Sequence, residues 1–325
     1  MYTKGKLMFF YTESLVHAGA GEGVGAIDLP IQREKVTNWP IIHSSGIKGA
    51  MRDHFEAKKL KNDELFIVFG PDSQKKDSNN NPGNPGEHAG SIAFSDAKIL
   101  LFPVRSLKGT FAYITCPLAI TRFYRDILTL KSCGLDLIDN NLKEAITIAI
   151  NLNDSILLPK IENSADILTV QLNNNRQSPK KVILEELMFN VEYKPEVYSF
   201  CKWLKSKWTD SPSWIDIDKR IAVVSDDVFK DFVEFSTEVL TRNRINDETG
   251  VAQTGALWNE ECLPREVLLY SMVFASSPLK KSINNLLTDE NVLDYITNKP
   301  NYTPDRIWLG GDQTIGRGII KVHFI

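Results

Sequence analysis

KLMFFYTESLVHAGAGEGVGAIDLPIQREKVTNWPIIHSSGIKGAMRDHFEAKK, residues Lys6–Lys59, decides how this chain folds. Its first eight residues, Lys6–Glu13, are rich in aromatics and read as a buried strand. Glycines crowd the next segment, Gly19–Gly25, and a connection through Asp28, Pro30 and Arg33 leads to Pro40. Ser44 and Ser45 then offer N-caps for a helix running to about Lys59. On the helical wheel Ile47, Ala50, Met51, His54 and Lys58 share one side, with Phe55 at its edge. Ser45, Lys48, Gly49, Arg52 and Lys59 share the other.

Strands are expected over Ser91–Phe102, Gly109–Cys116, Ile221–Ser225, Glu238–Ile245, Arg265–Ala275 and Ile319–Ile325. Helices are expected over Thr121–Lys131, Pro195–Lys207, Phe229–Thr237 and Pro278–Thr297, the last with proline at or near its first position. The irregular alternation points to an α+β fold rather than a doubly wound sheet. The first strand, first helix, later strands and terminal strand suit one ferredoxin-like sheet. Within a single domain, 1–325, three parts stand out. Lys75–Glu87, inside an exposed insertion at 71–90, lacks large apolar residues and reads as disordered. Residues 132–220 read as an inserted helical and irregular region. Residues 241–270 read as a long hairpin or arm.

Composition sets bounds. The chain has 325 residues, 42% hydrophobic and 24% charged, enough to bury a core without staples. Cys116, Cys133, Cys201 and Cys262 show no metal-ligand spacing, and the five histidines form no pair with ligand spacing. A resident transition metal is not expected. A loosely held Mg²⁺ remains compatible, since it needs only one or two carboxylates plus phosphate oxygens. No signal-peptide pattern or membrane-length apolar run occurs, so the expected setting is cytoplasmic, without a membrane. The net charge of −3 is unusual for a nucleic-acid binder and demands a groove far more basic than the rest of the surface.

Two glycine motifs exclude more than they suggest. G-E-G-V-G-A (Gly21–Ala26) resembles a dinucleotide fingerprint, but Asp28-Leu29-Pro30 stands where a helix must begin. G-D-Q-T-I-G-R-G (Gly311–Gly318) resembles a phosphate loop, but Arg317 replaces its lysine and Gly318 its hydroxyl, and a strand follows. Both suit a plain turn or a loop whose bare backbone approaches a ligand. Three basic features suit single-stranded RNA. They are the helix face of Ser45, Lys48, Gly49 and Arg52, the alternating Arg242 and Arg244 with Trp258 beyond the turn, and the Gly311–Arg317 loop. On their own, a solvated helix face and an edge strand with a core tryptophan explain the first two better, and a hairpin turn explains the third as well.

In combination these segments resemble a known family. HAGAG (His17–Gly21), GAIDLPIQRE (Gly25–Glu34) and the S-S-x-x-K-G-x-x-R helix start look like the RAMP superfamily of CRISPR-associated proteins. More narrowly they look like the repeated backbone subunit of type III-B (RAMP module) effector complexes. Asn243–Pro264 and Leu309–Ile319 fit the same subunit, while the middle is not diagnostic. The resemblance implies a modified RNA-recognition-motif palm with inserted subdomains and a β-hairpin thumb. It implies copies stacked in a helical filament along a guide RNA, with other effector subunits and a paired target RNA. It implies an endoribonuclease that cuts target RNA at intervals with Mg²⁺ or another divalent cation. Asp28 takes the place of the catalytic, metal-binding aspartate, and His17 matches the histidine of H-A-G-x-G. Glu260 and Glu261 fall in an acidic segment near the thumb as further candidates. His43 and Gly46 depart from the family's usual proline and serine. The chemistry that fits is attack by the RNA's own 2′-hydroxyl, with a base or metal-bound hydroxide near it. A non-catalytic filament subunit and a guide-processing RAMP endoribonuclease are the competing expectations.

Overall fold

Lys4–Thr12, the expected first strand, is β1 of the computed structural model, which describes residues 2–23, 25–150, 152–161, 167–172, 178–208, 217–279, 286 and 288–325. It is followed by β2 (Ile41–Ile42), α1 (Ser44–Ala57), α2 (Asn62–Phe69), β3 (Ile92–Phe94), β4 (Ala97–Arg105), β5 (Phe111–Thr115) and α3 (Pro117–Ser132). The middle holds α4 (Asn140–Ala145), β6 (Ser155–Pro159), β7 (Lys181–Leu184), β8 (Leu187–Lys194), α5 (Pro195–Lys207), α6 (Ile217–Arg220) and β9 (Ile221–Val223). The chain closes with α7 (Asp226–Phe235), β10 (Glu238–Ile245), β11 (Ala252–Cys262), β12 (Leu268–Ala275), α8 (Asp289–Thr297), β13 (Arg306–Trp308) and β14 (Ile319–Phe324).

Twelve of these strands make one mixed sheet in the order β13-β14-β1-β12-β4-β5-β9-β6-β8-β7, with β2 on β4 and β3 on β12. Only β5–β9 and β6–β8 among its pairs run parallel. The aromatic run of β1 follows from its place inside the sheet, between β12 and β14. Met8 and Phe10 enter one core with Ile47, Met51 and Phe55 of α1 and Phe229 of α7. Leu7, Phe9 and Tyr11 enter the other with Phe123 and Ile127 of α3 and Phe200 and Trp203 of α5. A strand covered on both faces loses the polar alternation of an edge strand. Each such side chain contributes about 1.5–3 kcal/mol by leaving water.

Several expectations need correction. α1 has His43, not Ser44, at its N-cap. The capping bond comes from elsewhere, Ser44 N donating to Asp96 Oδ1 at 2.7 Å. Ser91–Phe102 is two strands, broken at Ser95 and Asp96. Among the described residues of 132–220, α4, α5 and α6 are helical as expected, while β6, β8 and β7 add strands that extend the main sheet, and Trp203 of α5 is fully buried. The Lys75–Glu87 loop is exposed but has defined turns, with Asp77 Oδ1 accepting from the backbone of Asn79 and Asn81. Pro278 and Leu279 are themselves not helical. α8 begins at Asp289 behind a Thr288 cap, and 280–285 and 287 lie outside the described residues.

The hairpin is the correction that matters for function. β10 pairs with β11, spanning 238–262, as a separate two-stranded sheet. The strand expected over Arg265–Ala275 starts at Leu268 and belongs to the main sheet, paired with β1 and β4. Hydrophobic patterning marks both as strands, and only the tertiary pairing separates them.

Candidate functional site

The segment after β1 leaves the main sheet and lays itself along the root of the β10–β11 hairpin. Val16 exchanges backbone hydrogen bonds with Leu263 (3.1 and 2.9 Å). Residues 18–20 and 30–32 then pair with each other, Ala20 N reaching Pro30 O at 2.9 Å and Gln32 N reaching Ala18 O at 2.8 Å. The loop closed by this pairing presents Asp28. Leu29 N donates to Asn259 O (3.0 Å), Glu261 N donates to Leu29 O (3.0 Å), and the Asp28 carboxylate accepts Asn259 N at 2.7 Å. Asp28 is exposed, and with Glu22, Gly23, Leu29, Leu257 and Trp258 it lines a cleft of about 360 Å³.

His17 hangs from the same strand. Its Nδ1 lies 2.7 Å from Glu261 O. A carbonyl only accepts, so Nδ1 carries the proton and Nε2 is the acceptor of the neutral ring. Glycines close around the imidazole. A Cβ at Gly19 would sit 2.7 Å from Nε2, and one at Gly310 would sit 2.5 Å from His17 O. The Gly311 N–H donates to that same oxygen at 3.0 Å. His17 and Asp28 are thus fastened two residues apart on one strand, at Glu261 and Asn259, about 7 Å at strand spacing.

Glu260 and Glu261 point to opposite faces of β11, as neighbours on a strand must. Both are buried, so neither is the surface acid that an acidic segment suggests. Glu261 accepts from Ile31 N (3.0 Å), Arg33 Nη2 (2.5 Å) and Thr237 Oγ1 (2.8 Å), bolting the Asp28 loop to the hairpin root. Glu260 lies 3.0 Å from Arg242 Nη1, hydrogen-bonds Arg317 Nη1, and lies 3.7 Å from His17 Nδ1. Burial alone would raise the Glu260 carboxyl. Its bonds with Asp312, Arg317 and Arg242 outweigh that and hold it below 4.5. Asp312 is raised above 3.8 by burial and by the Glu260 carboxylate beside it, against the pull of Arg242 and Arg317. Of this pair, Glu260 keeps its charge and Asp312 takes up a proton first.

The basic candidates divide. Arg242 lies over the Trp258 ring at 5.5 Å, directly across the hairpin from it. Arg244 does not share its setting: the register shifts between Asn243 and Ile245, and Arg244 is exposed. Arg317 is nearly buried, bonded to Glu260 and Asp312 and 3.6 Å from Cys262 Sγ. On α1, Gly49 is open to solvent, and a Cβ on it would meet nothing within 4 Å, while Ser45 lies one turn before it. Lys48 and Arg52 turn inward. Lys48 Nζ reaches Ile92 O at 3.2 Å, and burial, then Arg52, pull its pKa down. Arg52 bonds Glu56 (2.9 Å) and Gly70 O (3.2 Å).

Among the described residues, one group of three metal donors lies within sharing distance: His17, Glu260 and Cys262. Its nitrogen, oxygen and sulfur donors are a poor match for Mg²⁺, and the Arg317 guanidinium already stands among them. All four cysteines are buried free thiols. Asp28, with Glu22 on the same cleft, is the hard oxygen set. Sequence reasoning alone misses Asn259, Asp312, Arg33 and Glu22. Nothing in their spacing marks them, because each acts across 200 residues of chain or beside a glycine turn. No described helix is long and apolar enough to cross a membrane.

A large mixed sheet with a core on each face and a separate two-stranded hairpin at its side define a mixed α and β protein, and the chain belongs to the RAMP superfamily, whose sequence profile matches residues 9–321. A relative from Pyrococcus furiosus, "CRISPR system Cmr endoribonuclease Cmr4", is 34% identical over 322 residues, 98% of this chain and 95% of that protein. The crystal structure of oligomeric Cmr4 from Pyrococcus furiosus has a TM-score of 0.67 at 29% identity, covering 99% of this chain and 98% of that one. A chain in the cryo-EM structure of the type III-B Cmr-beta complex bound to cognate target RNA has a TM-score of 0.71 at 22% identity, covering 99% and 98%, and shares the fold.

Proposed function

We propose that this chain is a backbone subunit of a type III-B CRISPR effector complex, binding guide RNA and cutting complementary target RNA at intervals. The relative 34% identical over nearly its whole length is named an endoribonuclease of such a system. In this reading the main sheet around β1, β12 and β4 is a modified RNA-recognition-motif palm and the β10–β11 hairpin its thumb. The 71–90 loop is a surface insertion. Copies stack into a filament in the cytoplasm beside other effector subunits.

The observation that carries the reading is the hanging of Asp28 and His17 from one hairpin strand, at Asn259 N and Glu261 O, with Trp258 on the same cleft as Asp28. A single-stranded substrate crossing the hairpin root would meet an aromatic face for a base and a carboxylate for its sugar-phosphate. Cleavage by the RNA's own 2′-hydroxyl asks the protein for alignment, a proton acceptor and a neutralised phosphate. The hairpin separates and aligns the strands. Asp28 accepts the 2′-hydroxyl proton as the 2′-oxygen bonds phosphorus and the P–O5′ bond breaks, leaving a 2′,3′-cyclic phosphate and a 5′-oxygen that takes up a proton. His17, with Nδ1 committed to Glu261 O, offers Nε2 as acceptor or, when protonated, as donor. Asp28 and Glu22 are the residues that would hold Mg²⁺ or another divalent cation, which supplies charge neutralisation at the phosphate.

Asp28→Asn tests this. An amide oxygen can still accept Asn259 N, so the loop should keep its place while the charge is lost. In the reconstituted complex, Asp28→Asn is expected to bind a guide-complementary RNA as wild type does. It should cut about 10²- to 10⁴-fold more slowly. Evenly spaced products at the wild-type rate from that variant would remove Asp28 from the chemistry.

A further inference from the structure

Arg242 and Arg317 share two carboxylates that sit at different depths. Glu260, 2% exposed, underlies both guanidiniums. Asp312 closes over the same two, 2.6 Å from Arg242 Nη1 and 2.9 Å from Arg317 Nη1, with its side chain 25% exposed. Two guanidiniums on one buried carboxylate leave a single positive charge facing out, and Asp312 cancels it. A phosphodiester carries that same single charge and accepts the same guanidinium hydrogen bonds. Exchanging one for the other changes no net charge and buries no unpaired ion.

The surroundings suit such an exchange. Arg242 lies over Trp258, which lines the cleft beside Asp28, so an anion taking the place of Asp312 would sit at the substrate's edge. Asp312 belongs to a loop outside the strands. It stands in the left-handed backbone region (φ 62°), between Gly310 (φ 90°) and Gly316 (φ 82°). Rotation about its own χ1 releases both guanidiniums without moving the backbone.

We propose that Asp312 is an internal stand-in for an RNA phosphate, covering an anion site made by Arg242 and Arg317 and giving it up to a phosphodiester of bound RNA. This rests on the RNA-binding reading above and adds to it the residue that masks the site. It also explains how a chain of net charge −3 holds an RNA site: its local positive charge is covered until RNA arrives.

The test is binding of a fluorescein-labelled single-stranded RNA by the full-length chain, read by anisotropy across a salt series, with thermal melts alongside. Asn tolerates the left-handed backbone and Gly adopts it without strain, so Asp312→Asn and Asp312→Gly should both stay folded. Each is expected to bind about 3- to 10-fold more tightly than wild type, as removal of one nearby like charge predicts. Arg242→Gln should bind more weakly, with a salt slope reduced by about one. In the Arg242→Gln background the gain from Asp312→Asn should shrink or vanish. An unchanged or weakened Asp312→Asn, or an equal gain with Arg242 absent, overturns the masking role while leaving RNA binding intact. If neither the wild-type nor the Asp312→Asn chain binds RNA, the anion site is overturned, while guide-complementary RNA binding by the reconstituted complex decides the RNA-binding reading separately.

Discussion

Glu261→Ala separates a carboxylate that supports the site from one that takes part in its chemistry. The Glu261 side chain is 3% exposed and accepts from Ile31 N, Arg33 Nη2 and Thr237 Oγ1 at 3.0, 2.5 and 2.8 Å. Alanine leaves the Ile31 N–H buried without that acceptor and removes the carboxylate that faces Arg33, whose side chain is 14% exposed. Losing one partner of a buried ion pair costs about 3–5 kcal/mol. Arg33 also donates to Asn38 O (2.8 Å), Val233 O (3.2 Å) and Glu234 O (3.3 Å), so its charge stays solvated by carbonyls and the lower end of that range applies. With unfolding entropy of about 2.1 cal/mol/K per residue, a loss of about 3–4 kcal/mol should lower the Tm of a chain of this length by about 4–6 °C. Glu261→Gln keeps one acceptor oxygen and should lose less. Differential scanning fluorimetry reads both shifts, and cleavage by the reconstituted complex is measured well below the lowered Tm. Activity should fall through misplacement of the Asp28 loop, more in Ala than in Gln. A Tm drop under about 1 °C together with abolished cleavage would refute the reasoning and return Glu261 to a chemical role.

Gly19→Ala adds a methyl group at a point only 2.7 Å from His17 Nε2, so the imidazole must shift. A displacement of that size at a reacting group should slow cleavage by about 10- to 100-fold with RNA binding retained, measured as single-turnover rate against anisotropy. Folding stability should depend on pH through Glu260 and Asp312 with opposite signs. Glu260, held below 4.5, contributes stability that is present above 4.5 and lost as pH falls through its lowered value. Asp312, raised above 3.8, binds its proton more tightly when folded, so its contribution declines as pH rises from 3.8 through its raised value. Asp312→Asn removes the second effect, and urea melts should show a steeper loss of stability toward acid than in wild type. A shallower loss would contradict the assignment of charge within the pair.

Much of the candidate site is legible in the sequence. The Gly19–Gly25 run and the Gly311–Gly318 run both announce loops with bare backbone, and Gly19 and Gly311 pack against His17. The Arg242 and Trp258 pairing is readable because a tight turn brings strand neighbours together. Lys48 and Arg52 read as one outward patch because a helical wheel knows only angle. It does not know that Gly70 and Ile92 present carbonyls to that side, and so both cations are spent internally. Glu260 and Glu261 read as acidic surface because adjacent charges usually are.

Local patterning by itself determined the buried first strand, the α1 face and the hairpin's first strand, since periodicity and turn residues act over a few positions. Family likeness pointed to Asp28 and His17. Only the tertiary structure decided which strand completes the hairpin, and that residues 132–220 extend the main sheet. It alone showed that Asn259 and Glu261 hold the two candidate catalytic groups, and that Asp312 covers two arginines. Each of these depends on contacts between segments tens to hundreds of residues apart. Such contacts are selected by burial and charge pairing in the folded whole, and neither leaves a local periodic trace.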